Sequence, residues 1–178
     1  MQPLIPSFQV DHTNLCPGIY VSRVDKCGDD WYITTFDIRM TYVNYKLAID
    51  PASMHTIEHV IATYLRNDPK WKDSIIYWGP MGCLTGCYLI MKSKDTPLKP
   101  QDIRLLIIDA FMYLSKYEDA VPGATPRNCG NYTMHNLPMA RRLALEYSSL
   151  LLDDKRFCCE YPKTERILDK NGKIVYDA

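Results

Sequence analysis

The sequence has 178 residues, a length that suits one domain able to bury roughly 70% of the surface its unfolded chain exposes. Lys plus Arg number 21 and so do Asp plus Glu, so no basic excess exists to bind nucleic acid by counterion release or to anchor the chain on an anionic membrane. A hydrophobic share of 47% and a charged share of 24% exclude disorder as the dominant state.

In chain order, residues 19–24 form a short strand. Residues 31–42 form a longer one, rich in aromatic and β-branched side chains with partial alternation. Asp50-Pro51 starts a helix with an acidic cap and a proline at its first position, and the helix runs to about Asn67. Residues 74–78 form a strand stopped by Gly79-Pro80, and residues 84–92 form another. After a loop over 96–100, residues 101–117 form a helix that is apolar around most of its circumference and therefore buried. Residues 121–131 are irregular, 137–152 form an amphipathic helix, and 167–175 suggest a small hairpin turning at Asn171-Gly172. The expected fold is α+β, with helices packed on an antiparallel sheet, in a single domain over 1–178 whose residues 159–178 are a peripheral C-terminal extension.

No run reaches the ~18 apolar residues of a spanning helix. The longest apolar stretch, 103–114, is broken by Arg104 and Asp109. The first six residues lack the basic and apolar regions of a secretory leader. Seven cysteines, an odd number, stand at 16, 27, 83, 87, 129, 158 and 159. Together these features predict a cytoplasmic protein with reduced thiols.

The most informative segment is His55-Thr56-Ile57-Glu58-His59. Residues four apart on a helix lie about 40° apart around the axis and one turn along it, so His55 and His59 present two imidazoles to one point. Glu58 sits on the flank of that face, where it can serve a substrate without being a ligand. Zinc or iron(II) needs a third protein ligand, and His135, Cys129 and Glu118 are candidates. Cys83 follows Gly82 at a turn into a strand, a position that suits an exposed nucleophile or base, and a nearby cation would lower its pKa. A joint metal-ligand role for Cys83 and Cys87 is weaker, because on a strand the two lie ~13 Å apart.

Three segments together, His55-Thr56-Ile57-Glu58-His59, Pro80-Met81-Gly82-Cys83-Leu84-Thr85-Gly86 and Cys129-Gly130-Asn131-Tyr132, resemble the S-ribosylhomocysteine lyase (LuxS-type, autoinducer-2 synthesis) family. Ser7-Phe8-Gln9-Val10-Asp11-His12 and Phe36-Asp37-Ile38-Arg39 agree, and the five matches fall in the family's order over roughly residues 6–152. The resemblance implies a LuxS/metallohydrolase-like fold, with His55, His59 and Cys129 as metal ligands and Cys83 and Glu58 as the acid/base pair. It implies Arg39 as a third catalytic residue, and one divalent metal per subunit, iron(II) natively, with zinc or cobalt possible.

The resemblance further implies a homodimer with active sites at the interface, where Ser7, His12 and Arg39 of one chain hold a small-molecule substrate at the metal of the other. No nucleic-acid or membrane partner is expected. The implied reaction splits S-ribosylhomocysteine into homocysteine and 4,5-dihydroxy-2,3-pentanedione by two carbonyl migrations and a β-elimination. This chain departs from the family pattern at Tyr77-Trp78-Gly79, where an acidic residue, an aliphatic one and a serine are usual.

Two other classes fit parts of the pattern. His-x-x-Glu-His is also a metallopeptidase signature, with Glu118 as a possible third ligand. A non-catalytic metal-binding module, disabled at Tyr77-Trp78, is the third. Cys129→Ser separates the first two, since it should strip metal from a lyase and spare a peptidase.

Overall fold

The computed structural model describes residues 5–162. A 3-10 turn at Pro6–Phe8 is followed by β1 (Gly18–Cys27), β2 (Trp31–Arg39), α1 (Pro51–Asn67), β3 (Ile75–Pro80), β4 (Gly86–Lys94), α2 (Pro100–Ser115) and α3 (Leu137–Leu152). The strands form one sheet in the order β1-β2-β4-β3, and every neighbouring pair is antiparallel. The architecture is the expected α+β one.

Alternation along β2 divides the chemistry of the sheet between its two faces. Phe36 and Ile38, with Leu89 and Cys87 opposite them on β4, turn to one side and join the main core. The three helices supply most of the rest of that core, with Ile19 of β1 and Ile75 and Trp78 of β3, and the Phe111 ring of α2 meets Tyr147 of α3 edge-on at 4.8 Å. Asp37 and Arg39, two residues apart, turn to the other side together with Tyr20, which pairs with Asp37 across β1. A smaller cluster of Leu15, Tyr20 and Val43, joined by Val10, Cys158 and Tyr161, lies outside the main core.

The helix ranges of α1 and α3 agree with the sequence reading, and the strand ends differ for local reasons. β2 stops at Arg39 because the next two backbone N–H groups, of Met40 and Thr41, both turn to the Thr85 carbonyl. β3 continues through Gly79 and Pro80, which an edge strand tolerates because a proline there need not donate to the ladder. β4 starts at Gly86 rather than 84, because Leu84 has φ +56° and closes a turn onto the Met81 carbonyl at 2.9 Å. A Cβ at Gly86 would lie 2.3 Å from the Ile38 carbonyl oxygen, so strands β2 and β4 approach only over a glycine. α2 ends at Ser115, two residues early. The expected hairpin at 167–175 lies outside the described residues. Among the described residues, no helix is long and apolar enough to cross a membrane.

Candidate active site

The Asp50 side chain caps α1 by accepting the Ser53 N–H at 2.9 Å, and Pro51 fills the first helical position. This fixes the helix that carries His55 and His59, whose rings stand edge-to-face with centroids 4.5 Å apart. The irregular segment after α2 folds back over the same face of α1. Gly123 takes φ +70° there, a left-handed turn that suits glycine, and it lets the backbone close against His59. Cys129 Sγ comes to 3.3 Å from His55 Nε2. His135, just before the Asn136 cap of α3, stacks its ring on His55 at 4.3 Å. One donor atom from each of His55, His59, Cys129 and His135 lies within 4.8 Å of the others.

The hydrogen bonds around the cluster assign the tautomers. His55 Nδ1 donates to the Met134 carbonyl at 2.9 Å and His59 Nδ1 to the Pro122 carbonyl at 2.6 Å, because a carbonyl can only accept. Their Nε2 atoms therefore carry lone pairs. Thr56 Oγ1 gives its single proton to the Ala52 carbonyl at 2.8 Å and accepts the Asn136 N–H at 2.9 Å. Facing His135 Nδ1 at 3.3 Å, it accepts there too, which leaves His135 Nε2 with the lone pair. That Nε2 is buried and has no hydrogen-bond partner among the described residues. Burial and the two neighbouring imidazoles lower the His135 pKa. A thiol and imidazole lone pairs held by outer hydrogen bonds are the donors zinc and iron(II) take, so the residues fit a divalent metal.

A second constellation sits where β2 meets the turn into β4. Arg39 binds Asp37 through two nitrogens, Nε to Oδ1 at 3.1 Å and Nη2 to Oδ2 at 2.7 Å, and both side chains are buried. Its third nitrogen, Nη1, donates to Thr85 Oγ1 at 2.5 Å and faces Cys83 Sγ at 3.7 Å. Thr85 Oγ1 lies 3.1 Å from the same sulfur. Because Arg39 occupies a lone pair of Thr85, the threonine proton is left to be donated to a thiolate. Burial pushes the Cys83 thiol up, but hydrogen bonds from Thr85 and the Arg39 charge outweigh it and hold the pKa below the ordinary thiol value. Cys83 is exposed, so this poised sulfur faces solvent.

The remaining candidates are distributed as follows. Glu58 is half-buried on α1, near enough to Cys87 that its charge adds to the burial raising that thiol. Cys87 itself is fully buried on β4 against the Met54 sulfur at 3.6 Å and stands apart from the metal cluster, as does Cys83. Glu118 faces Arg141 at 3.5 Å and is not a member of the cluster, which removes the third ligand a peptidase would need. Ser7 is exposed on the first 3-10 turn, and His12 Nδ1 meets the Val10 carbonyl at 2.8 Å. Among the described residues, neither is hydrogen-bonded to the cluster or to Cys83 of its own chain. At the departure from the family pattern, a Cβ on Gly79 would lie 2.0 Å from the Tyr77 hydroxyl. Tyr77 is thus folded over Gly79, and the two unusual residues form one packing unit. Trp78 is buried edge-on to Phe111.

Sequence reasoning weighed His135 only as one possible third ligand, whereas the fold brings it in alongside Cys129. Asp37, Thr85 and Tyr161 were missed. Asp37 shares the strand face of Arg39 and Thr85 lies two residues from Cys83, so spacing could have flagged both. No local signal marks Tyr161.

The family profile of S-ribosylhomocysteinase (LuxS) matches residues 5–156. A protein named S-ribosylhomocysteine lyase from Phocaeicola vulgatus is 51% identical over 149 residues, covering 84% of this chain and 90% of its own. One from Porphyromonas gingivalis is 49% identical over 149 residues, covering 84% and 91%. One from Clostridium acetobutylicum is 45% identical over 159 residues, covering 89% and 98%.

Proposed function

Because the chain belongs to the S-ribosylhomocysteinase (LuxS) family, we propose that it is a metal-dependent carbon–sulfur lyase acting as a single domain. It converts S-ribosylhomocysteine to homocysteine and 4,5-dihydroxy-2,3-pentanedione, the autoinducer-2 precursor. The observation that carries this reading is the convergence of His55, His59 and Cys129 in one cluster from two distant segments. These three hold one divalent cation, iron(II) in the native protein, with zinc or cobalt accepted. When bound, the cation supplies Lewis-acid stabilisation of negative charge developing on the sugar oxygens.

The chain's own residues move the protons. The substrate sulfur is on C5 and the carbonyl of the opened sugar on C1, so the carbon–sulfur bond is activated only after the carbonyl has reached C3. Cys83, as thiolate, takes the C2 proton and returns it to C1, then takes the C3 proton and returns it to C2. Finally it removes the C4 proton while the C5–S bond breaks. Homocysteine leaves as a thiolate that takes up a proton, and the C4–C5 enol left behind loses its hydroxyl proton and gains one at C5 to give the dione. Glu58 moves the protons on oxygen, and Arg39 keeps the thiolate charged and positions the sugar. The Arg39 and Thr85 contacts to Cys83 support this division of labour.

The active unit is a homodimer in which Ser7, His12 and Arg39 of one chain serve the metal centre of the other. Exposed Phe8, Tyr45 and Leu47 support a covered apolar face, and seven free cysteines support a reducing, cytoplasmic setting. The test is anaerobic purification, metal analysis and measurement of the homocysteine thiol released from S-ribosylhomocysteine. Metal-loaded wild type should release it, whereas Cys83→Ala should keep its metal and release none. Absence of release from the wild type would refute the activity, and full activity in Cys83→Ala would remove Cys83 from the mechanism.

A further inference from the structure

Asp37 accepts a third hydrogen bond besides the two from Arg39. Tyr161 Oη donates to Asp37 Oδ2 at 3.0 Å. The donor comes from a stretch of chain that follows residue 156, where the family match ends. That stretch is tied to the sheet before it reaches Asp37. Ile19 N–H donates to the Cys158 carbonyl at 3.0 Å, and a Cβ at Gly18 would lie 2.2 Å from the same oxygen, so the segment can pass only over a glycine. The Tyr161 ring then stacks on Tyr20 at 4.8 Å and 6°, which aims its hydroxyl across β1 at the carboxylate. Burial and the Asp37 charge raise the Tyr161 pKa, so the phenol keeps its proton and acts as a donor.

The consequence runs through a rigid fork. Two guanidinium nitrogens are fixed by Asp37, so the orientation of the carboxylate sets where the third nitrogen points, and it points at Thr85 and Cys83. A donor on Asp37 also offsets part of its negative charge, which leaves more of the Arg39 field for the sulfur.

We propose that Tyr161 is a positioning residue for Cys83. Its hydroxyl orients the buried Asp37–Arg39 pair, and the pair in turn holds and stabilises the Cys83 thiolate. The inference rests on the reading of Cys83 as the base, but its first test needs no substrate.

The test compares full-length, metal-loaded wild type with Tyr161→Phe, which keeps the stack and removes the hydroxyl. Iodoacetamide alkylation of the peptide bearing Cys83 is followed by mass spectrometry from acid to alkaline pH. The alkylation midpoint should move to higher pH, and the rate at neutral pH should fall about threefold or more, part of the effect of losing a hydrogen bond to a buried charge. In the homocysteine-release assay kcat should fall by a similar factor, with KM changing less than about twofold. Tyr20→Phe is the control, since its hydroxyl bonds the Cys16 carbonyl and not Asp37, and it should leave the midpoint in place. An unchanged midpoint in Tyr161→Phe, whether or not the variant melts earlier, would overturn the proposal, as would equal shifts in both variants. A shifted midpoint in a protein that releases no homocysteine would uphold the positioning and sink only the lyase reading.

Discussion

Cys129→Ser tests the centre most directly. The thiol lies 3.3 Å from His55 Nε2 and is the one sulfur in the cluster. A serine hydroxyl stays protonated and is a poor ligand for zinc or iron(II), so the variant loses one of the three assigned ligands while the helix pair is untouched. Structural zinc sites contribute about 10–16 kcal/mol from four donors, or roughly 2.5–4 kcal/mol per donor, which corresponds to a loss of about two to three orders of magnitude in affinity. Protein loaded anaerobically with cobalt(II) should show a sulfur-to-cobalt charge-transfer band in the wild type and none in the variant. Chelator competition should give the affinity loss. At metal concentrations 100 to 1,000 times the wild-type Kd, bound metal stabilises the fold by about 2.7–4.1 kcal/mol. Most of that is lost in the variant, which lowers its Tm relative to loaded wild type by roughly 5–15 °C for a chain of this size. Wild-type affinity with the charge-transfer band intact would refute thiolate ligation. The peptidase alternative makes the opposite forecast, with Cys129→Ser neutral and Glu118→Gln stripping the metal.

Thr85→Val removes the hydroxyl between Arg39 and Cys83 without changing side-chain shape. The pH at which Cys83 becomes alkylated should rise by about one unit and kcat should fall about tenfold with metal content unchanged, as judged by alkylation profiles and metal analysis. Asp50→Ala should cost about 1 kcal/mol by removing the cap of α1, measured by urea unfolding. Burial alone would raise the Asp50 carboxyl, but hydrogen bonds at Ser53 and Ala52 hold it below its ordinary value. Its contribution is therefore fully present above the unfolded carboxyl's pKa and is lost as pH falls through the lower folded value, so the gap between wild type and variant should close in acid. Mixing a Ser7→Ala, His12→Ala double variant with Cys129→Ser should restore part of the turnover, because a mixed dimer then contains one site with intact Ser7, His12, Arg39 and Cys83 from one chain and intact metal ligands from the other. No restoration, under conditions where the subunits exchange, would argue against sites shared between chains.

The helices of this protein were readable because their signals are local. The Asp50-Pro51 start, the turn-spaced histidines and the amphipathic run ending at Leu152 each depend on residues within a few positions of one another. The metal pair on α1 was therefore visible at once. The resemblance to a family supplied Cys129 as the expected third ligand, because a spacing of 70 residues along the chain carries no distance in space. Strand ends were less legible, since they depend on what lies across the sheet. β2 ends where the Thr85 carbonyl draws off two N–H groups, and β3 accepts Pro80 only because it is an edge.

Tertiary structure alone decided the surroundings of the Asp37–Arg39 pair. A buried Asp–Arg pair is costly unless every edge is satisfied, and the partners that satisfy it come from two separate places in the chain: Thr85 and Cys83 at the turn into β4, and Tyr161 beyond α3. The same holds for His135, whose lone pair is fixed by a threonine one turn into α1 rather than by any neighbour in sequence. Side-chain spacing fixes what a helix or strand can present. Which presented groups meet, and in which protonation state, follows from desolvation and hydrogen-bond satisfaction once distant segments have packed together.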